Sequence, residues 1–250
     1  MYKTYNKYLY RRFFRQGYIL FFLFQWMLAH AENDYKNFYI NRYDQPNFSK
    51  KMTDDKGNGF KELYGTRNFR SVLKGIYYRG GANNTHLKKD SRSNSNPLTT
   101  MGLTNLCKEG FQSAIYLYKT GFEKAPKSIQ CQGIRGNNTI EYLQLNAFQL
   151  KERTEILQLI HQKLLSTGPE NRGPIYIHCW NGWHASGLIA ALSLRQFCDY
   201  TGLMAIQYWD DLTDGNNKDP RFKSVRKIIS DYKIDPKLSI SVDLKKDICF

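Results

Sequence analysis

The sequence contains few cysteines, few acidic residues and no long hydrophobic run. Its 250 residues include only 5 cysteines, which excludes a small protein held together mainly by disulfides. No hydrophobic run reaches the roughly 20 residues that a membrane-spanning helix needs, so a multi-span membrane protein is also excluded. Because 41% of the residues are hydrophobic and 24% are charged, the chain can bury one large core or two small ones.

The shortage of acidic residues makes the chain strongly basic. Its 37 Lys and Arg residues outnumber its 22 Asp and Glu residues, which gives a formal net charge of +15 at pH 7. Such a balance suits nucleic acid, anionic lipid or a phosphorylated small molecule as a partner. The lysines are scattered and no groove-reading motif is present, so we expect no specific nucleic-acid partner.

The first 31 residues contain no acidic residue and have the three parts of a secretory signal peptide. A basic segment precedes a short apolar run at residues 17–29, and the small residues Ala29 and Ala31 follow at the positions that precede cleavage. We therefore predict that residues 1–31 are a signal peptide cleaved after Ala31, and that the protein is exported to the periplasm or secreted. An uncleaved membrane anchor and a buried N-terminal helix of a cytosolic protein are the alternatives, and only the anchor would bring contact with a membrane.

The cysteines differ in their sequence surroundings. An oxidising compartment permits disulfides and an odd number leaves at least one free thiol, but the sequence leaves the pairing open. Cys107 and Cys198 lie within apolar helical patterns, which favours small buried side chains without a disulfide at both positions.

The pattern along the chain divides it into three parts. After the predicted signal peptide, residues 32–68 are polar and aromatic with no sustained period, and we predict an irregular extension on the surface. Residues 69–250 alternate strand and helix patterns, which predicts one α/β domain with a central, mostly parallel sheet flanked by helices. Strands are predicted at 113–118, 139–145 and 173–178, helices at 99–109, 151–165, 188–198, 204–211 and 220–232, and an extended tail after them.

The strand at 173–178 leads into a short loop and then a helix, an arrangement that binds anions. Backbone N–H groups of the loop and of the helix N-terminus point into one small cavity. The same field favours a thiolate on Cys179, at the end of the strand, and makes it a nucleophile. The candidate catalytic residues are Cys179, His184 and Ser186, and the candidate ligand-binding residues are Trp180, Asn181, Gly182, Trp183, Ala185 and Gly187.

Residues 178–187 resemble the signature of the cysteine-dependent protein tyrosine phosphatase superfamily, His-Cys-x-x-Gly-x-x-Arg-(Ser/Thr)-Gly. The positions that match are His178, Cys179, Gly182, Ser186 and Gly187. Residues 75–82 also resemble the tyrosine-arginine strand that opens the compact dual-specificity branch of this superfamily. The resemblance to that branch as a whole covers about three quarters of the chain. The resemblance implies a phosphatase-like strand, cysteine loop and helix, with Cys179 as the nucleophile and the Ser186 hydroxyl helping the thiolate to leave.

Two departures from the signature predict a degenerate active site. The arginine of the signature is Ala185 here, and the loss of one preorganised donor costs about 10²–10³ in rate. Residues 146–150, where the resemblance places the general acid, contain no acidic residue, and leaving-group protonation contributes about 10²–10⁴. We therefore expect the protein to bind a phosphorylated or other anionic ligand, with weak or no phosphomonoesterase activity.

Several side chains near the loop have more than one interpretation. His184 is either a surface residue or a substitute charge or proton carrier in a Cys/His pair. Trp180 and Trp183 are either packed walls or a stacking rim for a ring-bearing ligand. For the acidic residues that follow the signature, Asp210 and Asp214 among them, we expect a solvated helix end, with a substitute general acid as the alternative.

Three functions remain open at the level of sequence. The first is the degenerate anion binder described above, and the second is a working cysteine phosphatase with substitute catalytic groups. The third is a thiol-redox or sulfur-transfer protein that uses Cys179. We expect no cofactor and no metal site, because Cys179 and the adjacent His178 should point to opposite faces of their strand.

Overall fold

The computed structural model describes residues 35–43, 46–83, 97–166 and 173–250. The predicted signal peptide lies outside these residues. The strands are β1 (Thr66–Leu73), β2 (Tyr77–Ala82), β3 (Ser113–Tyr116), β4 (Ser128–Gly133), β5 (Gly136–Gln144) and β6 (Ile175–Cys179). The helices are α1 (residues 35–43), α2 (Thr100–Lys108), α3 (Leu150–Leu165), α4 (His184–Phe197), α5 (Gly202–Asp211), α6 (Lys223–Asp231) and α7 (Val242–Ile248), with short 3₁₀ turns at Lys61–Leu63, Pro220–Phe222 and Pro236–Leu238.

The strands form one mixed sheet in the order β1-β2-β6-β3-β5-β4. The central strands β2, β6, β3 and β5 run parallel, and the edge strands β1 and β4 pair antiparallel to their neighbours. The predicted α/β class with a mostly parallel sheet flanked by helices is therefore confirmed. The three predicted strands correspond to β3, β5 and β6, whereas β1 and β4 were not predicted.

Alternate residues of β6 enter two separate cores. Ile175, Ile177 and Cys179 belong to the core that the sheet forms with α3, α4, α5 and α6. Tyr176 packs into the core on the other face, among aromatic side chains from α1, β1 and β2 and apolar residues of α2. This two-residue alternation is the geometry of a strand covered on both faces.

The interpretation of residues 32–68 as an irregular surface segment is wrong for residues 35–43. These residues form α1, and Tyr39 and Tyr43 are 0% and 1% exposed. Both rings lie within contact distance of Phe111, at centroid separations of 6.2 and 6.4 Å. Tyrosines four residues apart fall on one helical face, which explains why this aromatic segment is buried.

Two disulfides correct the expectation for Cys107 and Cys198. Cys107 of α2 is bonded to Cys131 of β4, and Cys198 after α4 is bonded to Cys249 near the end of the chain. The unpredicted strand β4 lies against α2 and carries Cys131 to it, which the helical pattern alone did not reveal. Cys179 is the free cysteine.

The C-terminal residues also differ from the predicted extended tail. Ser241 caps α7 by accepting a hydrogen bond from the Leu244 N–H. Ile248 is buried, and its carbonyl accepts a hydrogen bond from Lys74 N at 2.8 Å. The C-terminal residues therefore pack against the chain at the end of β1. In the part of the chain that the structure describes, none of the helices has the length and apolar character to cross a membrane.

Candidate functional site

Cys179 lies where the topology of the sheet creates a crevice. The chain leaves β2 toward α2 on one face of the sheet, whereas it leaves the neighbouring strand β6 toward α4 on the other face. Adjacent parallel strands that lead to opposite faces define a topological switch point, and ligands of open α/β sheets bind there, at the carboxyl ends of the strands. Cys179 is the last residue of β6 and is 2% exposed.

The thiol of Cys179 lies beside the first turn of α4. Its Sγ atom is 3.5 Å from the Oγ atom of Ser186, which is itself fully buried. The first N–H groups of a helix have no intrahelical acceptor and form the positive end of the helix dipole. Two of the three candidate catalytic side chains, the Cys179 thiol and the Ser186 hydroxyl, are therefore in contact at a helix N-terminus.

Side chains from β1 fix the first half of the loop. Arg67 donates from Nε to the Trp180 carbonyl at 2.9 Å, and its guanidinium also bonds the side-chain oxygen of Asn181. Asn68 donates from Nδ2 to the Asn181 carbonyl at 2.7 Å. Asn181 is thus a structural residue of the loop through both its backbone and its side chain.

Buried side-chain donors bind the carbonyl groups in the second half of the loop and hold it in place. Arg79, 0% exposed, donates from Nη1 to the carbonyls of Gly182 and Trp183 at 3.2 and 3.4 Å. Trp209 donates from Nε1 to the His184 carbonyl at 3.1 Å. In a trans peptide the N–H of the next residue points opposite to the carbonyl, so the N–H groups of residues 183–185 point away from Arg79 and Trp209. Arg79 organises the carbonyl side of the loop and lies opposite to these N–H groups.

Gly182 is required by the backbone at the centre of the loop. Its φ is +78°, and a Cβ atom built there would lie 2.7 Å from the Gly80 carbonyl carbon and 2.8 Å from Gly81 N. Residues with a side chain rarely adopt this φ, and the strand β2 leaves no room for one. The loop and the end of β2 therefore pack backbone against backbone.

Ala185, at the position of the signature arginine, is 0% exposed and belongs to the apolar core on the α4 side of the sheet. Gly187 is also buried, and a Cβ atom there would lie 2.9 Å from Arg79 Nη1. The helix therefore begins with small residues that let it pack closely on the buried arginine.

His184 is bound to the segment that follows α5. Its Nε2 atom is 2.6 Å from the Asn216 carbonyl, and because a carbonyl only accepts, Nε2 carries the proton. The ring stacks on Phe222 with centroids 4.1 Å apart. Burial lowers the pKa of His184 below its ordinary value, against the opposing effect of the Asn216 bond. A neutral ring, with Nδ1 as its acceptor, is favoured over a cationic substitute for the arginine.

His178 has a structural role at the end of β6. Its Nδ1 atom donates to the Cys179 carbonyl at 3.1 Å, and its Nε2 atom is 2.8 Å from the Tyr142 hydroxyl. Burial lowers the pKa of His178 to about 4, so the ring is neutral at pH 7. Its ring stacks on Tyr176 in the core opposite to the one that contains Cys179. His178 and Cys179 therefore lie on opposite faces of β6.

The two tryptophans of the loop have different environments. Trp183 donates from Nε1 to the Asp214 carboxylate at 2.9 Å and so anchors the loop to the segment after α5. Trp180 is 37% exposed, with its ring 5.2 Å from Tyr118, whose ring is in turn 6.3 Å from the exposed Phe148. Trp183 is thus held against the segment after α5, while Trp180 forms part of an aromatic surface beside Cys179.

The expectation of a solvated helix end holds only in part, because Asp214 is exposed and Asp210 is half-buried, and both are ion-paired. Asp210 accepts two hydrogen bonds from Arg226, at 2.5 and 3.0 Å. Asp214 accepts from Lys51 at 2.7 Å and from Arg70 at 3.3 Å. Although partial burial opposes the effect, these bonds and the charge of Arg70 hold the pKa of Asp214 below its ordinary value. Asp214 remains ionised at neutral pH and has no proton to donate.

Asn146, the first residue of the segment 146–150 where the resemblance places the general acid, takes part in a local turn. Its Oδ1 atom accepts a hydrogen bond from Phe148 N at 3.0 Å, and its own N–H donates to Glu152 at 2.7 Å. This is the Asx-turn geometry that Asn commonly adopts before a helix. Among the described residues, no group of three His, Cys, Asp or Glu side chains is arranged to hold a metal ion.

Sequence reasoning missed the arginines that organise the site. Arg67, Arg70 and Arg79 are 3%, 1% and 0% exposed, and they project from β1 and β2. Arg79 lay within the strand that carried the family resemblance, but nothing in the pattern distinguished a buried arginine from an exposed one. No family model matches the chain, and no curated protein matches it in sequence. The case for a function therefore rests on the residues around Cys179.

Proposed function

We propose that the protein is exported and that its Cys179 loop (residues 179–187) binds a phosphorylated or other anionic ligand, with little or no phosphomonoesterase activity. The proposal describes a degenerate relative of the cysteine-dependent protein tyrosine phosphatases. One observation carries it: the free thiol stands at the carboxyl end of β6, at the switch point of the sheet, 3.5 Å from Ser186 in the first turn of a helix.

The orientation of the loop backbone supports anion binding. The carbonyls of residues 182–184 are bonded by Arg79 and Trp209, so the N–H groups of residues 183–185 point to the other side. Successive N–H groups on one side of a loop, next to a helix N-terminus, attract a phosphate, sulfate or carboxylate.

The positions that would complete hydrolysis lack the required chemical groups, which supports slow turnover or none. Ala185 offers no guanidinium, Asn146 offers no proton, and Asp214 is held ionised by its partners. If the two losses are independent, they reduce the rate by about five orders of magnitude. Asp214 therefore cannot be the substitute general acid that a working phosphatase would need.

The disulfides support export and limit the thiol alternative. Two disulfides are compatible with an oxidising compartment. They also occupy the other four cysteines, so Cys179 has no resolving cysteine within the chain. A dithiol exchange mechanism is thereby disfavoured, while sulfur transfer through a persulfide on Cys179 remains the second candidate.

Calorimetric titration with inorganic phosphate tests the proposal. The wild type and Cys179→Ser should both bind phosphate, because backbone N–H groups supply the contacts. Gly182→Ala, which displaces the loop, should weaken binding by about tenfold or more. If neither the wild type nor Cys179→Ser binds phosphate, the proposal is wrong.

Turnover of an aryl phosphate by the same proteins tests the second half of the proposal. The wild type should release product at a rate close to that of Cys179→Ser. A kcat of about 1–10³ s⁻¹, the usual range of enzymes, would instead identify a working phosphatase. Transfer of the outer sulfur of thiosulfate to the Cys179 thiolate, which forms a persulfide and releases sulfite, would favour sulfur transfer if phosphate does not bind.

A further inference from the structure

A cluster of buried hydrogen-bond donors lies between β1, β2 and α5. Six buried side-chain polar atoms have no protein partner within the described ranges, and four of them belong to Arg70, Tyr77, Arg79 and Tyr208. These four side chains are 1%, 0%, 0% and 6% exposed. The atoms are two guanidinium Nε–H groups and two hydroxyls, all of which can donate. Buried polar groups are normally hydrogen-bonded, so the cluster calls for an acceptor.

The four side chains are neighbours. Arg70 and Arg79 are directly paired across the antiparallel strands, and both donate to the Leu212 carbonyl, at 2.9 and 3.4 Å. The Arg79 guanidinium carbon lies 5.4 Å from the centre of the Tyr208 ring. Tyr77 is two residues from Arg79 on the same face of β2, and it interacts electrostatically with both Arg79 and Tyr208.

The charges in this cluster are out of balance. Like charges that face each other across a sheet destabilise it, and burial of an unpaired ion is costly. Asp214 is the carboxylate that reaches the cluster among the described residues, at 3.3 Å from Arg70, and Lys51 shares it. Burial and the charge of Arg79 lower the pKa of Arg70 to about 10, so Arg70 remains cationic at pH 7. Two buried cations thus face one shared anion.

We infer that Arg70, Arg79, Tyr77 and Tyr208 bind a small monovalent inorganic anion, of which chloride is the common example. An anion accepts from all four donors and compensates the second guanidinium, whereas a water molecule supplies no charge. The anion also supports the Cys179 loop, because Arg79 is the residue that bonds the Gly182 and Trp183 carbonyls. The inference goes beyond the proposed function and concerns a different site, on the carbonyl side of the loop.

Thermal unfolding at constant ionic strength tests this site, with sodium chloride compared against sodium gluconate at pH 7. Gluconate is a large anion and should not reach side chains that are at most 6% exposed. Chloride at ten times its dissociation constant should raise the Tm of the wild type by about 3–6 °C. Tyr77→Phe and Tyr208→Phe should require about tenfold or more chloride for the same rise, because each variant loses one hydrogen bond to a charged group.

The tyrosine variants keep the shape of the core, so they are expected to fold. In gluconate, Tyr77→Phe should be at least as stable as the wild type, because it removes a buried hydroxyl without a partner. In saturating chloride the wild type should be more stable than Tyr77→Phe. Tyr200→Phe, a change at a partly exposed tyrosine, is the matched control and should respond to chloride as the wild type does.

A bromide-soaked crystal gives an independent outcome. An anomalous peak within hydrogen-bond distance of both Nε atoms and both hydroxyls would support the site. Equal Tm values in chloride and gluconate, together with the lack of a bromide peak, would overturn it and assign the donors to buried water.

Discussion

The close contact between Gly182 and the end of β2 leads to a prediction that can be worked out in detail. Gly182 has a φ of +78°, and an added Cβ atom would lie 2.7 Å from the Gly80 carbonyl carbon. Gly215 has almost the same φ, +77°, but an added Cβ atom there meets nothing within 4 Å. The pair Gly182→Ala and Gly215→Ala therefore separates the cost of the contact from the cost of the backbone conformation.

The expected magnitudes follow from these two terms. A left-handed conformation costs alanine about 1–2 kcal/mol, and the stiffer unfolded chain returns about 0.4–1 kcal/mol. Gly215→Ala should thus reduce the free energy of unfolding by about 1 kcal/mol. Gly182→Ala adds a collision with backbone atoms that cannot rotate away, and overpacking of this kind costs about 1–3 kcal/mol more. Its total loss should be about 2–4 kcal/mol.

Urea unfolding of the two variants measures the difference, and alkylation of Cys179 by iodoacetamide gives a second readout. Because Cys179 is 2% exposed under the intact loop, displacement of the loop in Gly182→Ala should speed alkylation, whereas Gly215→Ala should leave the rate unchanged. Equal stability losses and equal alkylation rates in the two variants would show that the loop is not packed on β2 as described.

Three further predictions concern the surroundings of the loop. Ala185→Arg and Ala185→Leu should both be destabilised by overpacking, since residue 185 is 0% exposed, but only the arginine should raise the affinity for phosphate measured by calorimetry. Equal affinities would place residue 185 away from the ligand. Asp214→Asn should reduce the free energy of unfolding at pH 7 by about 2 kcal/mol, because Arg70 loses its carboxylate. Since the pKa of Asp214 is lowered in the folded protein, the carboxylate contributes to stability above its ordinary pKa, and this contribution disappears as the pH falls through the folded pKa. The free energies of unfolding of Asp214→Asn and the wild type, measured in urea, should therefore converge in acid. A difference that stays constant with pH would contradict this prediction. Replacing Cys198 and Cys249 by serine removes a cross-link between residues 51 apart and should cost about 4 kcal/mol in urea unfolding, whereas an unchanged midpoint would mean that the disulfide is not formed.

The centre of the fold was predictable because its residues follow simple patterns. Strand β6 is apolar except for His178 and α4 is apolar nearly all round, as expected for elements buried in the middle of an α/β domain. The motif that joins them could be placed from sequence because His178, Cys179 and Gly182 have fixed spacing. These patterns locate the thiol, but they carry no information about which distant side chains reach the loop.

The edges of the sheet were missed for two different physical reasons. All eight residues of β1 are buried, including Arg67 and Arg70, whose guanidinium groups donate to carbonyls and to Asp214 in distant parts of the chain. Such burial contradicts the usual preference of arginine for the surface and leaves no periodic signal. Strand β4 alternates exposed and partly buried residues of an edge hairpin, so its apolar content is low. The disulfide between Cys107 and Cys131 depends on that hairpin and could not be inferred without it.

The buried helix α1 had a signal that sequence reasoning did not use. Tyr35, Tyr39 and Tyr43 are spaced by four residues, which places them on one face of a helix. The surrounding polar residues concealed this stripe. An aromatic spacing of four within a polar segment therefore predicts a docked helix better than overall hydrophobicity does.

The central claim is that the Cys179 loop binds a tetrahedral anion through its backbone. A crystal of the wild-type protein soaked in tungstate tests this claim most directly, because tungstate has the shape of phosphate and a strong anomalous signal. We predict one tungstate at the carboxyl end of β6, with its oxygens within hydrogen-bond distance of the N–H groups of residues 183–185 and its metal above the Cys179 sulfur. Tungstate bound only elsewhere on the molecule, with the loop in the same conformation and without the anion, would contradict the account.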